Sequence, residues 1–469
     1  MSRAKNSRRR ACIFLLSTLF FVAAAARAQP GGTAPQTGAV DLTELEKLVL
    51  DELRETKTPG AAVAIVNGGR VVYAKGFGVR DVETNTPVTP DTLFRLGSTT
   101  KMFTGAAAVV LAEQGKIKLD APVGDYAKGL PPKLSRVTAH QLLSNAAGVA
   151  DFSPPSVSHD DAALAAMVRG WKDDALFGEP GKVYSYSSPG FWLTGYVIEE
   201  AGGKPYADMM EELLFKPLGM ARTTFRPHMA MTYPLALGHN TQDGKAAIIR
   251  PAFNNVAMWP AGSIFSSAND LARFVVALLN GGRLEDKQVL PASLFTKLSG
   301  EHVSMPGEPS VHYGYGLLNF KDRGAGLVMH GGFSRGYGSM IQMVPERGFA
   351  VIAVANRSGE TLRRTTEKAK ELFLKLGAQP AQPRQARPLA EGDAAKFVGR
   401  YVNGPQTWEV LAKEGRLFLK DAGGEYELKK TGDLRLSYGD ALEADAAFVL
   451  GADGKAEYIF TGLYAARRN

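Results

Sequence analysis

Ser339-Met340-Ile341-Gln342-Met343-Val344-Pro345-Glu346-Arg347-Gly348-Phe349-Ala350-Val351-Ile352-Ala353-Val354-Ala355 reads as two strands, 339–344 and 349–355, joined by a Pro/Gly-bounded turn. A helix over 361–376 is predicted directly after them. The other end of the same region repeats this grammar in reverse. From Asp41, a plausible N-cap, Leu42, Leu45, Leu48, Val49 and Leu53 fall broadly on one helical face. Residues 61–66 and 71–75 then flank Asn67-Gly68-Gly69, a hairpin signal. Between the two ends the pattern is mostly helical, most clearly at 102–113, 162–171, 190–200, 207–214 and 268–279. The economical arrangement is α+β: an antiparallel sheet built from both ends of 41–376, flanked by N- and C-terminal helices, with an inserted helical subdomain.

Beyond it, residues 377–388 have a linker composition, including Pro380 and Pro383. Residues 389–469 change character. Short apolar-rich runs at 397–402, 407–411, 417–420, 426–428, 434–436, 448–450 and 458–460 are separated by turn pairs such as Asn403-Gly404 and Asp453-Gly454. Such spacing predicts a small all-β, barrel-like domain.

The chain of 469 residues carries 55 Lys and Arg against 47 Asp and Glu, a formal net charge of +8. Much of the excess lies in the first 28 residues. Arg3, Lys5, Arg8, Arg9 and Arg10 precede an apolar run over 11–26, and Ala26-Arg27-Ala28 fits a small-x-small cleavage site. This order is that of a secretory signal peptide, with cleavage expected after Ala28 and a flexible leader over 29–40. Its removal leaves 49 basic and 47 acidic residues, net +2, and takes with it Cys12, the single cysteine. The expectation is a periplasmic or secreted protein with no stable membrane anchor and no nucleic-acid partner. Cys-based metal sites and disulfides are excluded from the mature chain. Sec and Tat export both stay open, as does the oligomeric state.

Gly97-Ser98-Thr99-Thr100-Lys101 opens the helix over 102–113. Ser98 and Lys101, three apart, project from one helix face. A serine hydroxyl is a weak nucleophile without a nearby base, and a lysine one turn away supplies one. Ser-x-x-Lys alone is a weak signal and also occurs at Ser2–Lys5. Two further features raise it. Residues 180–190, containing Tyr184-Ser185-Tyr186-Ser187-Ser188, form a Pro/Gly-bounded loop before a helix, and His330-Gly331-Gly332 precedes the strand at 339–344.

In these three features, in this order, the chain resembles the serine β-lactamase and penicillin-binding-protein superfamily. The match is to its class C-like branch, which includes D-alanyl-D-alanine carboxypeptidases, D-aminopeptidases and family VIII esterases. The resemblance covers about 41–376. It is supported by Phe94-Arg95-Leu96-Gly97-Ser98, Leu142-Leu143-Ser144-Asn145-Ala146-Ala147-Gly148, Lys216-Pro217-Leu218-Gly219-Met220 and Tyr313-Gly314-Tyr315-Gly316. It implies that Ser98 is the acylated nucleophile and that Lys101 takes part in proton transfer. Tyr186 would be the general base, its phenolate favoured by the neighbouring ammonium against an ordinary pKa of about 10. Ser188, Asn145, His330 and Gly332 would meet substrate, and the backbone N–H groups of Ser98 and Phe333 would form an oxyanion hole. No metal or organic cofactor is implied. The implied function is an exported serine hydrolase of the Ser-x-x-Lys type, acting through an acyl-enzyme on a small-molecule or peptide substrate. A slow-turnover penicillin-binding or sensor-type protein, with the β-domain as interaction module, is the alternative.

The departures concern substrate. The family's Tyr-x-Asn is Tyr186-Ser187-Ser188 here, and its Ser-His-Thr-Ser-Gly segment reads Ser144-Asn145-Ala146-Ala147-Gly148. The third motif offers His330 in place of Lys, which weakens the pull on a substrate carboxylate; Arg335 is close enough in sequence to substitute. No counterpart of the class A deacylating glutamate is evident. Ester, D-peptide and β-lactam substrates all stay open, with efficient β-lactamase action the most strongly opposed. Gly332-Phe333-Ser334-Arg335-Gly336 also fits a nucleophile elbow. That reading fails because no histidine follows His330 and a strand, not a helix, comes next. The seven histidines contain no His-Glu-x-x-His pair, which opposes a metal hydrolase.

Overall fold

The computed structural model describes residues 40–154, 156–376 and 385–469. The expected signal peptide, nearly all of the leader and most of the linker lie outside the described residues.

Helix α1 (Thr43–Thr56) leads into strands β1 (Gly60–Asn67), β2 (Arg70–Asp81) and β3 (Thr86–Pro87). Leu42 is the N-cap; the Asp41 carboxylate instead accepts from the Thr43 N–H at 2.9 Å, just outside the helix. Helices α2 (Thr100–Glu113), α3 (Ser188–Gly202) and α4 (Ala268–Leu279) are the long members of the inserted subdomain. The chain then returns through β4 (Val303–Met305), β5 (Glu308–Tyr313), β6 (Leu318–Asp322), β7 (Ala325–Ser334), β8 (Tyr337–Val344) and β9 (Phe349–Ala355) to helix α5 (Arg363–Leu374). The sheet order is β4-β5-β6-β7-β8-β9-β1-β2-β3, antiparallel throughout, so β9 and β1 from opposite ends of the sequence meet at its centre with Ala61 opposite Ala355.

The continuous apolar runs of β1 and β9 have a direct cause: both faces are covered. Ala62, Ala64, Val66, Ala350, Ile352 and Val354 point into the core shared with the helical subdomain. Ala61, Val63, Ile65, Phe349, Val351 and Ala353 point the other way, against Leu45, Val49 and Leu53 of α1 and Ala369 of α5. Those two helices are also tied by a buried carboxylate. Glu52 accepts from the Arg364 and Thr365 N–H groups at 2.9 Å, filling donors that the first turn of α5 leaves free.

Five strands of this sheet, β3 to β7, are not evident as strands in the sequence. β4 to β6 lie toward the sheet edge, are short and polar, and β5 contains Pro309, a residue that edge strands tolerate. The segment expected as one helix over 207–214 is an α-turn at Tyr206–Met210 followed by a π-turn at Glu211–Phe215.

The C-terminal part is a closed eight-stranded barrel of β10 (Gly399–Asn403), β11 (Gln406–Lys413), β12 (Arg416–Asp421), β13 (Gly424–Gly432), β14 (Arg435–Tyr438), β15 (Ala444–Leu450), β16 (Ala456–Thr461) and β17 (Tyr464–Arg468). Strand β17, the one absent from the sequence reading, closes it against β10. Alternation along the last hairpin divides two cores: Ile459 and Ala466 face the barrel interior, whereas Tyr458, Phe460 and Ala465 join the core of the larger domain.

Asn403, fully buried at the end of β10, binds the two parts together. Its Nδ2 donates to the Ala465 carbonyl at 2.7 Å and the Ser185 hydroxyl at 3.3 Å, and its Oδ1 accepts from the Asp151 N–H at 3.3 Å. Asn403→Ala strands buried polar groups, at a cost of about 1–3 kcal/mol. The expected outcome is a lower Tm with unchanged far-ultraviolet circular dichroism.

Candidate active site

Ser98 sits in the short 3-10 turn Gly97–Thr99 that opens α2. Gly97 has φ +57°, and a Cβ there would lie 2.3 Å from the Phe333 carbonyl oxygen; a Cβ on Gly332 would lie 1.8 Å from that of Leu96. Only glycine permits this approach of the nucleophile turn to β7. It sets the backbone of Phe333 beside that of Ser98, the two N–H donors the resemblance names.

Helix α2 is buried on nearly all sides, and Lys101 with it. Its Nζ lies 3.2 Å from Ser98 Oγ, 3.4 Å from Ser188 Oγ and 2.9 Å from the Ala261 carbonyl. Those neighbours are neutral, so burial dominates and lowers the ammonium pKa to about 7; the negative charge of Asp151 opposes this in part.

Tyr186 is buried, with its ring centroid 4.7 Å from Lys101 Nζ and its hydroxyl in hydrogen-bonding reach of Ser98. The sequence expectation of a phenolate favoured by an ammonium is reversed here. Burial raises the phenol pKa well above its ordinary value, Ser98 lowers it only in part, and Tyr464 and Asp151 raise it further. The amine faces the ring rather than the oxygen and itself loses its charge as pH rises through about 7. Tyr186 therefore rests as a phenol, and Lys101 is the group able to hold a proton reversibly.

Ser188 is the first residue of α3 and faces the same cavity; its N–H donates to Asp151 Oδ1 at 2.9 Å. Asn145 does not line the cavity. It is buried behind the Tyr186 segment at φ +58°, where its carbonyl accepts from the Ser185 N–H at 2.8 Å and its Oδ1 from the Ser187 N–H at 3.1 Å. Its Nδ2 approaches the buried hydroxyls of Tyr184 and Tyr313 without a well-formed hydrogen bond. It holds the loop rather than the substrate.

His330 lies on β7, buried, with Nδ1 2.6 Å from the Gly331 carbonyl and Nε2 3.2 Å from the Tyr313 hydroxyl. A carbonyl only accepts, so Nδ1 carries the proton and Nε2 accepts from Tyr313. Burial, reinforced by the charge of Lys101, lowers its pKa to about 3, leaving it neutral. Arg335 is exposed on the following turn and does not line the cavity.

The cavity in front of Ser98 measures ≈450 Å³. One wall comes from the barrel: the β16–β17 turn presents Leu463 and Tyr464. The Leu463 carbonyl accepts from the Tyr186 N–H at 2.9 Å, and the Asp151 carboxylate acts on the Tyr464 hydroxyl, raising its pKa beyond what burial does. Asp151, Leu463 and Tyr464 were missed in the sequence, and Tyr313 was noted only within Tyr313-Gly314-Tyr315-Gly316, not as a site residue. Nothing local marks them as site residues, because they reach the cavity only when segments distant in sequence fold together. Among the described residues, no group of three or more His, Cys, Asp or Glu side chains could hold a metal ion, and no helix is long and apolar enough to cross a membrane.

This chain belongs to the β-lactamase family, whose model, described as Beta-lactamase, matches residues 45–374. Protein Flp of Staphylococcus aureus (strain N315) is similar at 26% identity over 332 residues, 69% of this chain and 65% of Flp. "Unguisins hydrolase ungD" of Aspergillus violaceofuscus is 27% identical over 361 residues, 69% of this chain and 63% of that protein. The chain thus spans less than two thirds of the length of either relative. The crystal structure of SurE superposes with a TM-score of 0.76 at 25% identity, covering 91% of this chain and 98% of SurE. The octameric penicillin-binding protein homologue from Pyrococcus abyssi gives 0.62 at 26%, with 91% and 99% covered. The likeness to these structures therefore extends into the barrel.

The electrostatics give a pH prediction. Modification of Ser98 by an activated ester should speed up as pH rises through about 7, where Lys101 loses its proton. Asp151→Asn removes the charge that holds the ammonium up, so this acid limb should move to lower pH. Stopped-flow acylation rates between pH 5 and 9 check both the limb and its direction.

Proposed function

We propose that this protein is a serine hydrolase of the Ser-x-x-Lys type that works through an acyl-enzyme. The observation that carries the reading is the buried triad at the cavity floor: Lys101 Nζ 3.2 Å from Ser98 Oγ, with the Tyr186 hydroxyl beside the same oxygen. Neutral Lys101 accepts the Ser98 proton, directly or through the Tyr186 hydroxyl, as Oγ attacks the substrate carbonyl. The tetrahedral oxyanion sits between the N–H groups of Ser98 and Phe333. The C–O or C–N bond then breaks, and the leaving group takes the proton back through Tyr186. Water, deprotonated along the same path, attacks the acyl-enzyme, releases the acid and restores Ser98. Family membership and the hydrolase among its relatives support this chemistry. The basic, apolar, small-residue order of residues 1–28 supports export, to the periplasm or out of the cell.

Ser98→Ala should abolish turnover of p-nitrophenyl esters while leaving the fold intact. Tyr186→Phe should slow it by roughly 10²–10⁴-fold, the contribution of a positioned acid–base group. Steady-state rates with both variants test the reading. Retained turnover in Ser98→Ala overturns it, and one equivalent of product with a stable Ser98 adduct favours a slow-turnover binding protein instead.

A further inference from the structure

Thirteen residues line the cavity in front of Ser98, and none of these side chains carries a formal charge at neutral pH. The position that the sequence offers for meeting a substrate carboxylate holds His330, kept neutral by burial between the Gly331 carbonyl and the Tyr313 hydroxyl. Lys101, the amine nearest Ser98, does not line the cavity, and burial lowers its pKa to about 7. Above that pH it offers an anion little charge, while the ionisable group that acts on it is the carboxyl of Asp151. An anionic substrate entering here loses water and gains no cation, which is costly. The cavity is instead apolar at its mouth. Phe333 is 67% exposed and Leu463 41% exposed, two of the few large apolar side chains left open to solvent among the described residues. Both line this one cavity, Phe333 from β7 and Leu463 from the barrel turn. The Cδ2–Cε2 edge of the Phe333 ring lies close to Gly359, where a Cβ would come 3.0 Å from it, while 67% of the residue stays exposed. Paired exposed apolar groups at a pocket mouth mark a contact surface.

We propose that the substrate is uncharged on both sides of the scissile bond and carries an apolar group that packs between Phe333 and Leu463: a neutral ester, or an amide whose carboxyl end is blocked, rather than a free-carboxylate D-peptide or a penicillin-type β-lactam. The inference rests on the serine hydrolase reading above. It makes the C-terminal barrel a specificity element, since Leu463 and Tyr464 reach the cavity only because β16 and β17 dock there. It also assigns a consequence to histidine in the third motif: selection against carboxylates.

The test compares matched pairs on the full chain at pH 8. On the acyl side the pair is p-nitrophenyl hexanoate and the mono-p-nitrophenyl ester of adipic acid. On the leaving side it is N-acetyl-D-alanyl-D-alanine amide and the free acid. The neutral member of each pair should have a kcat/KM about tenfold or more above its anionic partner. Leu463→Ala should lower the hexanoate-to-acetate ratio severalfold within that variant, and His330→Lys should raise the anionic-to-neutral ratio. Equal or faster turnover of the anionic members by the unaltered protein overturns the proposal while leaving the hydrolase reading standing. If no member acylates Ser98, the hydrolase reading falls and the proposal with it.

Discussion

A single amine buried without a counter-ion in contact organises the whole structure. Lys101 has two hydroxyls and a carbonyl around its Nζ, a set that satisfies an amine's hydrogen bonds but does not neutralise an ammonium. Dehydration is what makes the lysine a usable base near neutral pH. It is achieved by enclosing nearly all of α2: the sheet lies on one side, the helical subdomain on the other, and the Tyr186 loop with the barrel turn behind it closes the front. Each layer is needed to keep water from the amine.

The barrel is bound to this centre through the backbone of the loop that carries Tyr186. Tyr186 donates its N–H to Leu463, and Ser185 exchanges hydrogen bonds with Ala465 and Asn403. A displacement of the last hairpin would therefore move Tyr186 and expose Lys101. Asp151 couples the same regions electrostatically. It takes the Ser188 N–H from the start of α3, and its charge acts on the Tyr464 hydroxyl of β17 and on Lys101. Substrate choice and proton transfer thus share one wall of the site.

Much of the fold was legible because its central strands and long helices obey simple periodicities. The run 349–355 is apolar throughout because it is covered on both faces, and the helix over 268–279 appears with the bounds expected. The edge strands β4 to β6 were not legible, since partly solvated strands need neither apolar continuity nor strict alternation. Strand β17 escaped for another reason. Its Ala465-Ala466 pair has little strand propensity of its own, and its conformation is fixed by pairing with β10 and β16 and by packing on the larger domain.

The three-residue spacing of Ser98 and Lys101, the tyrosine loop ahead of a helix and the His-Gly-Gly segment stand in the chain as local facts, and the sequence by itself determined the type of chemistry they point to. It also determined the two-ended sheet and the all-β C-terminal part. The protonation states were decided only by the tertiary structure. Spacing places Ser98 and Lys101 on one helix face, and the family resemblance implies Tyr186 beside them, but desolvation depends on everything packed around these groups, and it holds Tyr186 as a phenol and His330 as a neutral imidazole. The partners Asp151, Leu463 and Tyr464, and the retreat of Asn145 behind the loop, were likewise decided by long-range packing. Local sequence carries the identity of a reacting group, whereas its dielectric surroundings exist only once distant segments have met.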